Sequence, residues 1–119
     1  MEFSESLKKN RDFQLVYRKG ASAANRFLVM YVRKNQLEKN RIGISVSKMV
    51  GTSVVRHRLT RLIREAYRLN ESCFKKGLDV VIIARVTAKG TDQQQITDAL
   101  LHLSRIHHIQ ENKHETHHD

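Results

Sequence analysis

From Val54 to Arg68 the chain is apolar at one helical spacing and cationic at another, a pattern that only an amphipathic helix seated on a core can satisfy. Wound at about 100° per residue, it gathers Val55, Leu59, Leu62, Ile63, Ala66 and Tyr67 on one side. Arg56, His57, Thr60, Arg61, Arg64 and Arg68 fall across the other. An ordinary solvated helix face mixes signs so that i,i+4 pairs form, but here only Glu65 interrupts the cations. Crowded arginines repel one another until an anion binds. Their planar donor forks also match phosphates and base edges better than a lysine ammonium does. The plain alternative is a helix that is merely soluble.

The rest of the chain carries the same sign. Its 119 residues suffice for one core and are too few for two, and 22 Lys and Arg against 12 Asp and Glu leave a net charge of +10. Residues 1–90 hold 20 basic and 7 acidic side chains, whereas 91–119 hold 2 and 5, so the cationic field belongs to the body of the domain. An anionic membrane is a poor partner. No apolar run approaches the roughly 18 residues of a membrane span, and the apolar side of the arginine helix is too bulky to lie free at an interface. No basic N-terminal start leads into an apolar stretch, so secretion is not expected. Cys73, the single cysteine, cannot form an internal disulfide and reads as a small hydrophobe packed near the end of the long helix. A reducing, cytoplasmic setting follows as the expectation.

Met1 to Lys9 lacks a period and is expected to be extended or loose. Asn10 is a candidate N-cap, Phe13, Val16 and Tyr17 recur at helical spacing, and Gly20 is placed to stop a helix over Arg11–Lys19. On residues alone, Phe13 and Tyr17 read first as core. A strand follows, with Phe27, Val29 and Tyr31 alternating against Leu28, Met30 and Val32, so both of its faces should be covered or used. After a polar connection over Asn35–Asn40, Arg41–Ser47 alternates Ile42, Ile44 and Val46 with Gly43, Ser45 and Ser47, and its small-residue face leaves room for something to lie on it. Lys48–Thr52 reads as a turn in which Gly51 is free to take positive φ, with Thr52 or Ser53 capping the arginine helix. One glycine without a Gly-Lys-Ser/Thr ending excludes a phosphate loop.

The arginine helix is expected to reach Cys73 or Phe74 and to stop at Lys75, Lys76 and Gly77. Leu78–Ala84, almost wholly apolar, reads as a central strand buried on both faces with a parallel neighbour reached by crossover, and Arg85 emerges from its end. Thr91 with Gln94 suggests a capping box for a last helix carrying Ile96, Ala99, Leu100, Leu103 and Ile106. Beyond Ile109 nothing remains to bury, so 1–109 is expected to be one domain and 110–119 a disordered histidine-containing tail. The predicted fold is α+β, a two-layer sandwich in the order α-β-β-α-β-α, with room for an extra short strand near Ala21–Asn25.

No catalytic constellation emerges. His102, His107, His108, His114, His117 and His118 lie in the last helix or tail without a cysteine or carboxylate framework, so no metal site is expected. His57 among arginines would be held neutral and suited to a general base for RNA cleavage, yet no acid for the leaving oxygen can be nominated. Contact with RNA or solvent is the simpler role, and any enzymatic activity then belongs to a partner.

Several landmarks occur together: Lys8-Lys9-Asn10 leading into Asp12-Phe13, the turn at Tyr17 to Gly20, Ala24-Asn25-Arg26, the run from Arg41 to Lys48, Gly51, the arginine helix, and Ile82 to Arg85. With these, the chain from about Leu7 to about Leu103 resembles the protein subunit of bacterial ribonuclease P. The resemblance implies a mixed sheet with a left-handed β-α-β crossover in place of the usual right-handed one. It further implies a monomer in a 1:1 ribonucleoprotein that removes the 5′ leader of precursor tRNA, with Mg²⁺-dependent chemistry done by a catalytic RNA. By the same resemblance Lys48, Arg56, His57, Arg58, Arg61, Arg64 and Arg68 meet the catalytic RNA. Phe13, Tyr17, Lys19, Arg26 and Tyr31 take the single-stranded leader, which reverses the core-first reading of Phe13 and Tyr17. The division is physically sensible, because aromatic rings stack unpaired bases of any sequence while arginines grip folded RNA backbone. The chain departs from the family pattern at His57 (usually Asn), Thr60 (usually Lys), Met49 (commonly Lys) and Thr52-Ser53 (commonly Asn-Ala). The remaining alternative is a structural, ribosomal-type RNA-binding protein with no part in cleavage.

Overall fold

The computed structural model describes residues 1–111. The elements are β1 (Ser4–Ser6), α1 (Asn10–Lys19), β2 (Ala21–Ala24), β3 (Leu28–Lys34), β4 (Asn40–Ser45), α2 (Ser53–Asn70), β5 (Leu78–Ala84) and α3 (Gln93–Ile106). The five strands form one mixed sheet in the order β1-β4-β5-β3-β2, with β5 parallel to β4 and antiparallel to β3. This is the expected α+β sandwich with its parallel crossover through the arginine helix, and the extra strand at Ala21–Ala24 is present.

Alternation along β5 divides the core in two. Leu78, Val80, Ile82 and Ala84 face α2 and α3, where they meet Leu59, Ile63, Ala66 and Tyr67 of α2 and Ile96, Leu100 and Leu103 of α3. Val81 faces the other way, into a smaller cluster with Leu7 and Val16, against which Phe13, Tyr17, Tyr31 and Ile83 pack. Phe27 belongs to the main core and lies before β3, so the expected grouping of Phe27 with Val29 and Tyr31 does not hold.

Several local expectations give way to tertiary contacts. Met1–Lys9 is not loose. Ser4–Ser6 pairs in parallel with Asn40–Ile42, and Glu71, buried at the end of α2, accepts Glu2 N–H (2.7 Å) and Phe3 N–H (3.1 Å). Ser4 Oγ lies 2.6 Å from the Tyr67 hydroxyl, which also accepts Asn40 Nδ2 at 3.1 Å. A polar network thereby fastens the first strand where a hydrophobic pattern gives no signal. Lys9, without a side-chain bond, occupies the cap position of α1, and Asn10 is already helical. Gly20 is extended (φ −84°) and is required because an added Cβ would lie 2.6 Å from Val16 O and 2.9 Å from Val32 O. Gly51 is likewise extended, with an added Cβ meeting Val55 Cγ1 at 2.9 Å. β4 ends at Ser45, two residues short of the predicted strand.

Thr52 caps α2 as one of the two expected candidates, its hydroxyl accepting Val55 N–H at 3.3 Å. The helix stops at Asn70 and a 3₁₀ turn over Glu71–Cys73 follows, because Glu71 is held by the N-terminal strand. That turn leaves Cys73 exposed, contrary to the packed hydrophobe expected, and Phe74 fills the core against Tyr67 with ring centroids 4.9 Å apart. The capping box of α3 is Asp92 with Gln95, one residue beyond the predicted pair, and Thr91 instead donates to Ala88 O. Gln110 forms a β-bridge with Phe74, while the tail expectation for 112–119 lies outside the described residues.

Two contacts on the α1 side are sensitive to single substitutions. The fully buried Asp79 carboxylate accepts Arg41 Nε (2.8 Å) and Nη2 (2.7 Å) and Asn35 Nδ2 (2.9 Å), with Arg33 at 3.9 Å. Burial alone would raise its pKa, but the Arg41 and Asn35 hydrogen bonds and the two guanidinium charges bring it below the usual aspartate value. The stability this contributes is complete above the unfolded-state pKa of about 3.9 and is lost as pH falls through the lower folded value. Asp79→Asn should therefore cost about 3–5 kcal/mol at neutral pH and flatten the acid limb of the stability curve below about pH 4, measured by urea unfolding across pH. Gly43→Ala would set a Cβ 2.6 Å from Phe13 Cε1 and Cζ. Urea unfolding should show it destabilised by about 1–3 kcal/mol as the ring is displaced.

Candidate nucleic-acid interface

The α1 side of the sheet is only partly roofed. Pairing register places Tyr31, Val81 and Gly43 in one row across β3, β5 and β4, and Val29, Ile83 and Ser45 in the next, which Ala24 of β2 extends. α1 rests on β3 and β5, with Phe13 over Gly43. The second row stays half-buried or exposed and has small or aliphatic side chains throughout. Phe13, Tyr17 and Tyr31 form an aromatic wall beside it, with ring centroids 6.4 Å apart for Phe13 and Tyr17 and 5.1 Å for Tyr17 and Tyr31. All three are half-buried, so they are neither plain core nor free surface. Burial and the neighbouring Tyr31 push the Tyr17 hydroxyl pKa upward against a hydrogen bond with Ser45, so it stays a neutral donor. The arrangement offers flat π faces above an uncharged floor, which suits unpaired bases.

Lys19 is exposed in the last turn of α1, at the end of this wall. Arg26 is not brought into the aromatic cluster. It stands on the β2–β3 connection with its guanidinium 5.2 Å from the Phe27 ring centre, lining a hollow against Gln95, Asp98 and His102 of α3. Asn25 fixes that connection through bonds to Ala99 O, Phe27 N–H and Leu28 N–H. Arg85, beyond β5, donates to Asn25 O at 2.5 Å.

The second surface is α2. His57, Arg58, Arg61, Arg64 and Arg68 are exposed along it, and Lys48 is exposed in the 3₁₀ turn that precedes it. Arg68 is bound through Nε and Nη2 to Glu65 at 2.9 and 2.7 Å. Among the described residues Arg56, Arg58, Arg61 and Arg64 have no carboxylate within salt-bridge distance. Arg56 is half-buried, and its Nε is enclosed without a partner. The Arg68 hydrogen bond holds the Glu65 carboxyl below the usual glutamate range, which makes Glu65 a poor proton donor to accompany His57. Arg64 also lines a hollow of about 100 Å³ with Leu7, Phe13, Ile42 and Ile44, so the arginine helix and the aromatic wall meet at one sheet edge. Sequence periodicity separates these two surfaces and carries no sign of the seam, which depends on β1 ending where it does. Among the described residues no three His, Cys, Asp or Glu side chains converge as a metal site, and no helix is long and apolar enough to cross a membrane.

Known proteins share this arrangement. A family profile described as Ribonuclease P matches residues 1–107. The "Ribonuclease P protein component" of Lachnoclostridium phytofermentans is 58% identical over 106 residues, covering 89% of this chain and 91% of that protein. The component from Clostridium acetobutylicum is 57% identical over 99 residues, covering 82% and 83%. Among solved structures, the Staphylococcus aureus RNase P protein superposes with a TM-score of 0.82 at 39% identity, covering 89% of this chain and 97% of that one. The Thermotoga maritima RNase P protein gives 0.77 at 33%, covering 84% and 96%. With the family profile matching nearly its whole length, relatives more than half identical to it and the same fold in solved structures, the chain belongs to the ribonuclease P protein component family.

Proposed function

We propose that this chain is the protein subunit of a ribonucleoprotein endoribonuclease that removes the 5′ leader from precursor tRNA. α2 and Lys48 dock on a catalytic RNA, and the aromatic cleft holds the single-stranded leader. The observation that supports this most directly is the pairing of an uncharged cleft walled by Phe13, Tyr17 and Tyr31 with a helix on which Arg56, Arg58, Arg61 and Arg64 have no carboxylate within salt-bridge distance among the described residues. One surface fits unpaired bases and the other fits folded backbone. Lys19 serves the leader's phosphates at the cleft's end, and Arg26, lying apart, meets the leader only after it has passed over β2. The subunit works as a monomer in a 1:1 particle in the cytoplasm. In this reading Mg²⁺ is held mainly by the RNA. His57, with Glu65 bound to Arg68 beside it, contacts RNA and does not cleave it.

The decisive experiment is leader cleavage of a precursor tRNA at low Mg²⁺ by the protein alone, the organism's catalytic RNA alone, and both together. Activity only or far greater in the mixture is expected. No enhancement by folded protein would favour a structural RNA-binding role, and cleavage by protein alone that His57→Ala abolishes would make the chain a nuclease. The two surfaces should also separate. Phe13→Ala should weaken leader-bearing substrate by about 1–3 kcal/mol with little effect on assembly. Arg61→Ala should weaken assembly and lower the salt slope of catalytic-RNA binding by about one unit. Equal effects of both changes in both titrations would refute the division.

A further inference from the structure

A groove of about 540 Å³ lies between α2 and the start of α3, within the roughly 300–1,000 Å³ range of small-ligand sites. Backbone phosphates need only exposed cations, and a convex helix presents those without a groove. This groove instead has apolar walls. Val54, in the first turn of α2, is 77% exposed, and Leu62, two turns on, is half-buried, while His57, Arg58 and Arg61 stand around them. Gln93 closes the α3 side. Its Nε2 donates to Leu62 O at 2.9 Å and approaches Thr97 Oγ1 at 3.3 Å, leaving Oε1 as an acceptor without a protein partner among the described residues. Apolar side chains, the acceptors of Gln93 and of the Arg68-bound Glu65, and a rim of cations match one chemical object in an RNA: a base turned out of its stack, with its flanking phosphates on the arginines.

We infer that this groove receives one unstacked nucleobase of the catalytic RNA, seated between Val54 and Leu62. The Gln93 acceptor takes an N–H from the base edge, either an exocyclic amine of adenine, guanine or cytosine or a ring N–H of guanine or uracil. Arg58 and Arg61 hold the phosphates on either side. The inference rests on α2 being the face that meets the catalytic RNA, and it adds a non-electrostatic component to a contact that charge would otherwise carry alone.

The test titrates the full chain against the catalytic RNA over a series of salt concentrations. It also maps the complex with dimethyl sulfate and a carbodiimide, which together report all four bases. Val54→Ser keeps the charge and sits at an exposed position, so thermal unfolding should be nearly unchanged. It should weaken binding about fivefold with the salt slope intact, in contrast to Arg61→Ala. One unpaired base should be protected by the native chain and exposed again with Val54→Ser. Removing that base should cost as much as Val54→Ser, and the two changes together should cost no more than either alone. Unchanged affinity of the Val54→Ser chain, a reduced salt slope, no protected base, or strict additivity would each overturn the inference while leaving the docking role of α2 in place. Failure of the native chain to bind the catalytic RNA would instead remove the functional reading on which it rests.

Discussion

Everything in this domain follows from the need to bury β5 on both faces. Six of its seven residues are buried, and the exception, Ile83, is half-buried. One face is covered by two long helices, whose side chains close over Val80 and Ile82. The other has only α1, which with 10 residues is about 15 Å long and about 10 Å across. A five-stranded sheet is about 19 Å wide between its outer strand axes, and its longest strands run about 23 Å. α1 cannot roof it. The uncovered remainder is the row of Ala24, Val29, Ile83 and Ser45, so the cleft is what remains when a doubly buried strand is given one full cover and one partial one.

The cationic surface has a related origin, because the acids of the body fasten the fold. Asp79 binds Arg41, Asp12 lies 3.6 Å from the same guanidinium, Glu71 ties down the N-terminal strand, Glu5 pairs with Lys39, and Glu65 holds Arg68. Few carboxylates are left to neutralise α2. Its field therefore reflects where the acids are used as much as how many cations the chain contains. The sorting also explains why Arg41 is structural although it ends a stretch that carries Arg33, Lys34 and Lys39. Its guanidinium is fixed by a buried carboxylate, and the pKa of Arg41 is raised chiefly by that hydrogen bond.

What could be read in the sequence was what periodicity encodes. The arginine helix, the doubly apolar strand Leu78–Ala84, the last helix and the short strand after Gly20 all stand where their patterns place them, and the sandwich follows from their order. The losses are places where distant groups decide. β1 has no alternation, and its pairing depends on Glu71 and Tyr67, more than sixty residues away. The early stop of α2 and the exposure of Cys73 come from that same tie. Gly20 and Gly51 were readable as special positions, but close approach by Val16 and Val55 and not positive φ is what demands them. Of the site residues, the aromatic wall and the α2 cations come together, whereas Arg26 stands on the α3 side because Asn25 anchors its loop to Ala99. No spacing rule shows which side of a sheet edge a connecting residue will take.

The meeting of the two surfaces at Arg64 bears on how the domain would work as a subunit. Phe13 and Arg64 line the same small hollow, although one belongs to α1 and the other to α2, on opposite faces of the sheet. They do so at the edge where β1 is short and ends at Ser6, in a hollow also lined by Leu7, Ile42 and Ile44. A longer edge strand would seal that gap and separate an aromatic cleft from an arginine helix completely. On the proposed reading, a leader on the cleft floor and a folded RNA on α2 would come within reach of one guanidinium. The domain can then hold both without bending, since Arg64 is carried on a helix whose apolar side is locked into the core at Leu59, Ile63 and Tyr67. Fixed geometry of this kind lets binding at one surface orient what lies on the other, with the ordering cost met when the chain folded.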